Sequence, residues 1–243
     1  QFVDYFKILD LYGDSFDLQS VWVTGGEPFI DNQVFGFLHQ LKRHSPARNM
    51  KINITTNGSK INLDKIEELN EFKEVCINFS VDATGSLFSY MRSAGVFNFD
   101  KLCENIQALK NLKMKNLKIQ INGSHQIYNS LNMYDLYKTF TKDIPVDDIQ
   151  MRTLSHPKYL SSCILPDTIK PLAIEQVEKI LADPFINVHA RIRPDCNNVI
   201  KNLKYEPLDK DILWKRFIKF TKLLDDRRQH YIQDEVPEVW ENM

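Results

Sequence analysis

Two glycines, an acid and a proline stand together in "VTGGEPFID" (residues 23–31), directly after the short apolar run "SVWV". Glycine carries no Cβ, so a ligand can approach the main chain of Gly25 and Gly26, and their N–H and C=O groups can bond to it. A carboxylate beside them, Glu27, suits a cationic amine. Pro28 fixes φ and starts the next segment. The same four residues would also serve a tight strand-to-helix turn capped by Glu27, and a short glycine motif alone does not separate the two uses. Two further stretches bear on the choice. "TTNGS" (55–59) and "SVDATGSLFSYMR" (80–92) also put small polar residues where a strand ends. Singly, Asn57 reads as a turn residue and Asp82 as a cap. Together they make one edge of a sheet polar, which packing alone does not require.

The elements that must position these groups follow from periodicity. Strands are expected at 20–25, 50–57, 74–82, 116–123 and 147–154, each short, rich in β-branched or aromatic residues and closed by a breaker. Several carry apolar residues on both alternating sets, the pattern of strands covered on both faces. Helical spacing joins Val34, Phe37, Leu38 and Leu41 in a run stopped by "HSP". It joins Ile66, Leu69 and Phe72 in a shorter face, and Phe99, Leu102, Ile106, Leu109 and Leu112 in a clear one, capped by Asn98 or Asp100. A weaker helix covers 132–142. This alternation is the rhythm of right-handed βαβ units around a parallel sheet, whose ligands bind beyond the C-terminal strand ends. The series opens on a helical stripe (Phe2, Tyr5, Phe6, Leu9), so a strand that would precede it is expected to be missing.

Beyond residue 155 the pattern changes. "SHPKYLSSCILPDTIKP" holds three prolines and reads as an irregular crossing segment. Helices are expected over 172–183 and 209–228, the latter with Leu213, Phe217, Phe220 and Leu224 on one face, and 187–202 is ambiguous. Two regions result, a core at 1–155 and a C-terminal extension, twitch-like or helical, at 156–243.

Bulk composition narrows the class. The 243 residues are 43% hydrophobic and 26% charged, enough for a substantial core in a soluble globular protein. A net charge of −1 argues against broad electrostatic binding of nucleic acid. The basic run "KNLKMKNLK" (110–118) reads as a solvated helix end. No apolar run approaches the ~18 residues of a membrane span, and the first residues lack a signal-peptide pattern. Cys76, Cys103, Cys163 and Cys196 form no Cys-x-x-Cys, and such scattered cysteines read as reduced thiols of a cytoplasmic protein. No metal ligand is assigned on the chain.

The combination of "VTGGEPF", "ITTNGS", "FSVDATGSLFSYMRS", "NFDKLCENIQALKNL" and the closing "FTKLLDDRRQHYIQDEVPE" resembles the radical S-adenosylmethionine (SAM) superfamily. Within it, the chain is similar to the twitch-domain-containing proteins of marine bacteria and their phages. The resemblance implies an α/β fold, a partial (βα)6 barrel of the TIM-like radical SAM type, here lacking its first strand and followed by a helical extension. It implies that Gly25, Gly26 and Glu27, with Pro28 in the same motif, receive the SAM amino group. Asn57 would line the same mouth, and Ser80 and Asp82 would lie near the ribose and carboxylate. Arg92 would pair with the SAM carboxylate, and Asn122 would sit near the adenine. A 4Fe–4S cluster would reduce SAM to methionine and a 5′-deoxyadenosyl radical, with electrons from a donor such as a flavodoxin or ferredoxin.

Two departures stand out. The superfamily's Cys-x3-Cys-x2-Cys loop is absent, so the cluster ligands are expected upstream of this chain and the chain alone is expected to be inactive. Ala83 stands where relatives carry glycine. The substrate is unknown, with a peptide or a sugar both open. The competing readings are a cluster-less SAM- or peptide-binding module and an enzyme like carboxy-deazaguanine synthase, against which the long C-terminal helix and "VPE" tail argue.

Overall fold

A computed structural model of the chain describes Lys7 and residues 18–44, 47–92, 97–186 and 190–243. The helical stripe expected at the start of the chain lies outside them, apart from Lys7. Five strands form: β1 (Ser20–Val23), β2 (Lys51–Thr56), β3 (Glu74–Ser80), β4 (Leu117–His125) and β5 (Asp148–Thr153). They make one parallel sheet in the order β1-β2-β3-β4-β5, so sequence neighbours are sheet neighbours, as in a (βα) barrel. All five strands expected from the sequence are present, and the fold is the expected α/β class.

The intervening helices cross between parallel strands, which a hairpin cannot join. They are α1 (Asn32–His44), α2 (Leu63–Glu67), α3 (Gly85–Arg92), α4 (Phe99–Asn111) and α5 (Met133–Lys138), the last running into a π turn. Asn98 caps α4, its Oδ1 accepting from the Lys101 N–H at 2.9 Å, which decides between the two expected caps. The C-terminal part adds α6 (Lys170–Ala182), α7 (Ile192–Leu203), α8 (Lys210–Arg228) and the short α9 (Ile232–Glu235) and α10 (Pro237–Trp240). Among the described residues, no helix is long and apolar enough to cross a membrane.

Residue contacts divide the chain into two compact units, residues 1–80 with 104–120 and residues 81–103 with 121–243. In the first, Val23, Ile54 and Ile77 lie in register on one sheet face, and Ile52, Ile54, Val75 and Ile77 are fully buried. The opposite face carries Trp22, Asn53, Thr55, Cys76, Asn78 and Ser80. In the second unit, Ile121, Ile149 and Met151 are buried while Asn122, Ser124, Gln150 and Arg152 occupy the alternate positions. β3 is buried on both faces, as expected of a covered strand, whereas β2, β4 and β5 alternate buried and less buried positions.

Helix α8 buries Leu213 and Phe217 as its apolar stripe predicts, but the stripe continues as buried Thr221 and Asp225. The Tyr90 hydroxyl donates to Asp225 Oδ1 at 2.9 Å, and Tyr128 pairs with Thr221 at 2.8 Å. Burial pushes the Tyr128 phenol up to about 12 and raises the Asp225 carboxyl. The first contact fastens α8 to α3, the helix that ends in Arg92, and the second fastens it to the turn after β4.

Candidate functional site

The site residues of the first unit gather at the C-terminal ends of β1 to β3. Gly25 and Gly26 adopt φ of 90° and 55°, a region that L side chains rarely enter. Among the described residues, apart from chain neighbours, no atom lies within 4 Å of where a Cβ would stand on either glycine. The chain then turns: the Ile30 N–H donates to the Glu27 carbonyl at 3.0 Å. Pro28 and Phe29 are buried, the latter against Phe35 at 5.6 Å.

Glu27 does more than cap this turn. Its Oε1 accepts from the Thr56 hydroxyl at 2.5 Å and its Oε2 from the Asn57 N–H at 2.9 Å. The carboxylate thus joins the end of β1 to the end of β2. Asn57 turns its Oδ1 onto the Ser59 N–H at 2.8 Å, and the Gly58 carbonyl accepts from Asn105 Nδ2 at 2.7 Å, which fixes the "TNGS" turn. Ser80, half-buried, follows Phe79, the register partner of Thr56, and its hydroxyl has no hydrogen-bond partner among the described residues.

The site residues of the second unit meet at Asp82, which is 7% exposed. Its Oδ2 pairs with Arg92 Nε at 2.7 Å and its Oδ1 accepts from the Ser124 N–H at 2.7 Å. Its main-chain carbonyl accepts from Asn129 Nδ2 at 2.6 Å. Next to it, the Val81 N–H donates to the Asn122 carbonyl at 2.9 Å. Arg92 is oriented through Nε, leaving the terminal edge of its guanidinium for a second partner. Ala83 is fully buried and takes no positive φ, so the alanine is accommodated without backbone strain. Gly123 has a packing role that the sequence did not flag: a Cβ there would stand 2.5 Å from the Val81 carbonyl oxygen and 2.6 Å from Met151 Cε.

Sequence reasoning also missed a buried polar group past β4 and β5. His125 closes β4, two residues beyond the expected strand end, and is fully buried. Its Nδ1 meets the Ser162 hydroxyl at 3.1 Å, and its Nε2 has no partner among the described residues. Burial lowers its pKa to about 3, so the ring is neutral. Asn202 Nδ2 donates to Ser162 Oγ at 2.8 Å. The polar run "SHPKYLSS" was the available signal, but its partners lie some forty positions away in either direction.

Among the described residues, no group of three or more His, Cys, Asp or Glu could hold a metal ion. Burial pushes the Cys103 thiol up to about 11 and the Cys196 thiol up to about 12, which keeps both protonated at neutral pH.

A parallel five-strand α/β sheet with a glycine–acid turn at its C-terminal edge defines the class of this protein. The sequence profile described as "Radical SAM superfamily" matches residues 4–129. The chain belongs to that superfamily, whose members are enzymes. No curated protein matches the sequence. Among solved structures, it is similar to native anSMEcpe with bound AdoMet, at a TM-score of 0.54 and 19% identity over 73% of this chain and 49% of that one. It is similar also to SuiB of Streptococcus suis, at a TM-score of 0.50 and 17% identity over 73% of this chain and 40% of that one. The chain therefore spans half or less of the length of these structures, and at such identities the likeness is one of fold.

Proposed function

We propose that this chain is the AdoMet-binding part of a radical SAM enzyme acting on a peptide or sugar substrate. The observation that carries the reading is the Gly25–Gly26–Glu27 turn, uncrowded beside its glycines among the described residues and tied to β2 through the Glu27 carboxylate. Family membership and the AdoMet bound in the similar anSMEcpe structure support it.

Each unit carries residue types that the cofactor needs, and we assign its contacts to them. The carbonyls of Gly25 and Gly26 accept the amino group, and Glu27, already fixed by Thr56 and Asn57, adds a negative potential there. Pro28 holds the turn. Asn57 and Ser80 offer polar contacts at their strand ends. Arg92 presents the free edge of its guanidinium to the methionine carboxylate while Asp82 holds its Nε. Asn122 serves the adenine side. When bound and reduced at a 4Fe–4S cluster, AdoMet supplies the hydrogen-abstracting radical. The described residues do not fit that cluster, so we assign its ligands to a segment upstream and its electrons to a flavodoxin- or ferredoxin-like donor in the cytoplasm. Residues 156–243 are the twitch-like or helical extension of a core at 1–155.

Equilibrium binding of AdoMet to the chain tests the rim. Anaerobic turnover by a parent protein that carries the three-cysteine segment tests the chemistry. Saturable AdoMet binding by the chain, with reductive cleavage only in the parent, is expected. Binding without cleavage in a cluster-loaded parent would instead make the protein a binding module.

A further inference from the structure

Beyond the C-terminal ends of β4 and β5, within the second unit, lies a cleft of about 370 Å³. That volume is in the range of ligand sites, about 300–1,000 Å³. Its apolar lining comes from Pro207, Leu208, Leu213 and the ring of Tyr205, and its polar lining includes Ser161 and Asn202. Leu208 is fully exposed and Tyr205 is 60% exposed, so apolar surface is left in water at the mouth. Contiguous surface of that kind marks interaction sites.

The polar wall is built, and its free valences are specific. Ser161 is 4% exposed. Its Oγ accepts from Asn202 Nδ2 and from Cys163 Sγ, each at 3.4 Å, while its own O–H has no acceptor among the described residues. Asn202 is held by Ser162, whose hydroxyl is itself fixed by His125 at 3.1 Å. With Nδ2 committed to the serine hydroxyls, Asn202 Oδ1 is an acceptor without a donor among the described residues. One buried donor and one acceptor, side by side, are the complement of a peptide group, which offers a C=O and an N–H. The apolar wall beside them suits an aliphatic side chain. Lys158 and Asp209, also in the lining, carry opposite charges, so the cleft favours neither an anion nor a cation. A saccharide is the competing occupant, because Ser155 and His156 also line the cleft.

We infer that this cleft binds an uncharged, apolar peptide segment, which narrows the substrate class of the proposed enzyme to peptides and rests on that reading. Ser161 and Asn202 bond to one backbone amide, and Leu208 and Tyr205 cover the neighbouring side chain. The alternative, a sugar, is left as an outcome of the test.

The test is a titration of the 15N-labelled protein, without AdoMet, with N-acetyl-Ala-Leu-Leu-Ala amide and, separately, with methyl glucoside. Amide signals of Ser161, Asn202 and Leu208 are expected to shift with the peptide and not with the glycoside. Ser161→Ala should weaken binding about fivefold, as loss of one neutral hydrogen bond does. Leu208→Ser, at a fully exposed position that cannot unfold the protein, should weaken it at least threefold. Shifts with the glycoside alone, no shift with the peptide, or peptide binding unchanged in both variants would each overturn the inference. AdoMet binding is measured in a parallel titration: its loss with peptide binding intact would sink the cofactor reading and leave the cleft standing.

Discussion

The Asp82 carboxylate holds Arg92 through Nε at 2.7 Å and, with its other oxygen, the Ser124 N–H at 2.7 Å. One buried acid thus orients the cation at the end of α3 and anchors the C-terminal part of β4. Asp82→Ala should leave both donors without their acceptor and cost about 2–3 kcal/mol in urea unfolding. Arg92→Gln should cost less stability, because Arg92 is partly exposed, yet weaken AdoMet binding as strongly. Equal losses in both assays for both variants would remove Arg92 from the cofactor's partners.

Glu27 is expected to show two separable deficits. Glu27→Gln keeps the shape but weakens two charge-assisted contacts, and AdoMet binding should fall by roughly 1.5–3 kcal/mol in calorimetry. Glu27→Ala should also lower thermal stability, since the Thr56 hydroxyl and Asn57 N–H lose their acceptor. Unchanged AdoMet affinity in both variants would contradict the role assigned to this rim.

Gly123→Ala tests the close approach of β4 to Val81 and Met151. With a Cβ only 2.5 Å from a main-chain oxygen, the strand must shift. Overpacking of this kind costs typically about 1–3 kcal/mol. A thermal midpoint within experimental error of the wild type would show that the sheet gives more easily than its packing implies.

His125 makes a pH prediction with a definite sign. Its pKa is lowered to about 3 in the folded protein by burial, against about 6.5 in the unfolded chain. The unfolded state therefore binds the extra proton first as pH falls below the unfolded value. The associated stability is fully present above about pH 6.5 and is lost progressively toward pH 3, by about 2–3 kcal/mol at pH 4.5. His125→Gln should flatten that part of the profile in chemical unfolding between pH 7 and 4.5. A variant as acid-sensitive as the wild type would assign the loss to other groups.

Much of the sheet was legible because β-branched runs such as "KINITT" and "EVCINFS" are short and end at or just before a breaker such as Asn57 or Ser80. The rim was legible because glycines without a Cβ beside an acid stand out at a strand end, and the structure adds that Gly25 and Gly26 take positive φ. What escaped notice depends on side chains that meet across long separations. Thr221 and Asp225 sit on a stripe that periodicity assigns to leucine and phenylalanine, and only Tyr128 and Tyr90 explain their burial. His125, Ser162 and Asn202 carry no local pattern at all. Glu27 was read as a ligand for an amine, whereas its first partners are Thr56 and Asn57, a pairing that local sequence cannot show.

The double duty of Glu27 has an evolutionary consequence. A lineage that abandoned radical chemistry would still gain from the acid, because its carboxylate also ties the end of β1 to the end of β2. Gly25 and Gly26 would be released from ligand contact but not from their backbone angles. The motif as a whole should therefore decay slowly and last where it is structural, with Glu27 outliving the polar side chains around it. Among inactive descendants, drift should surface first at positions such as Ser80, whose hydroxyl has no hydrogen-bond partner among the described residues.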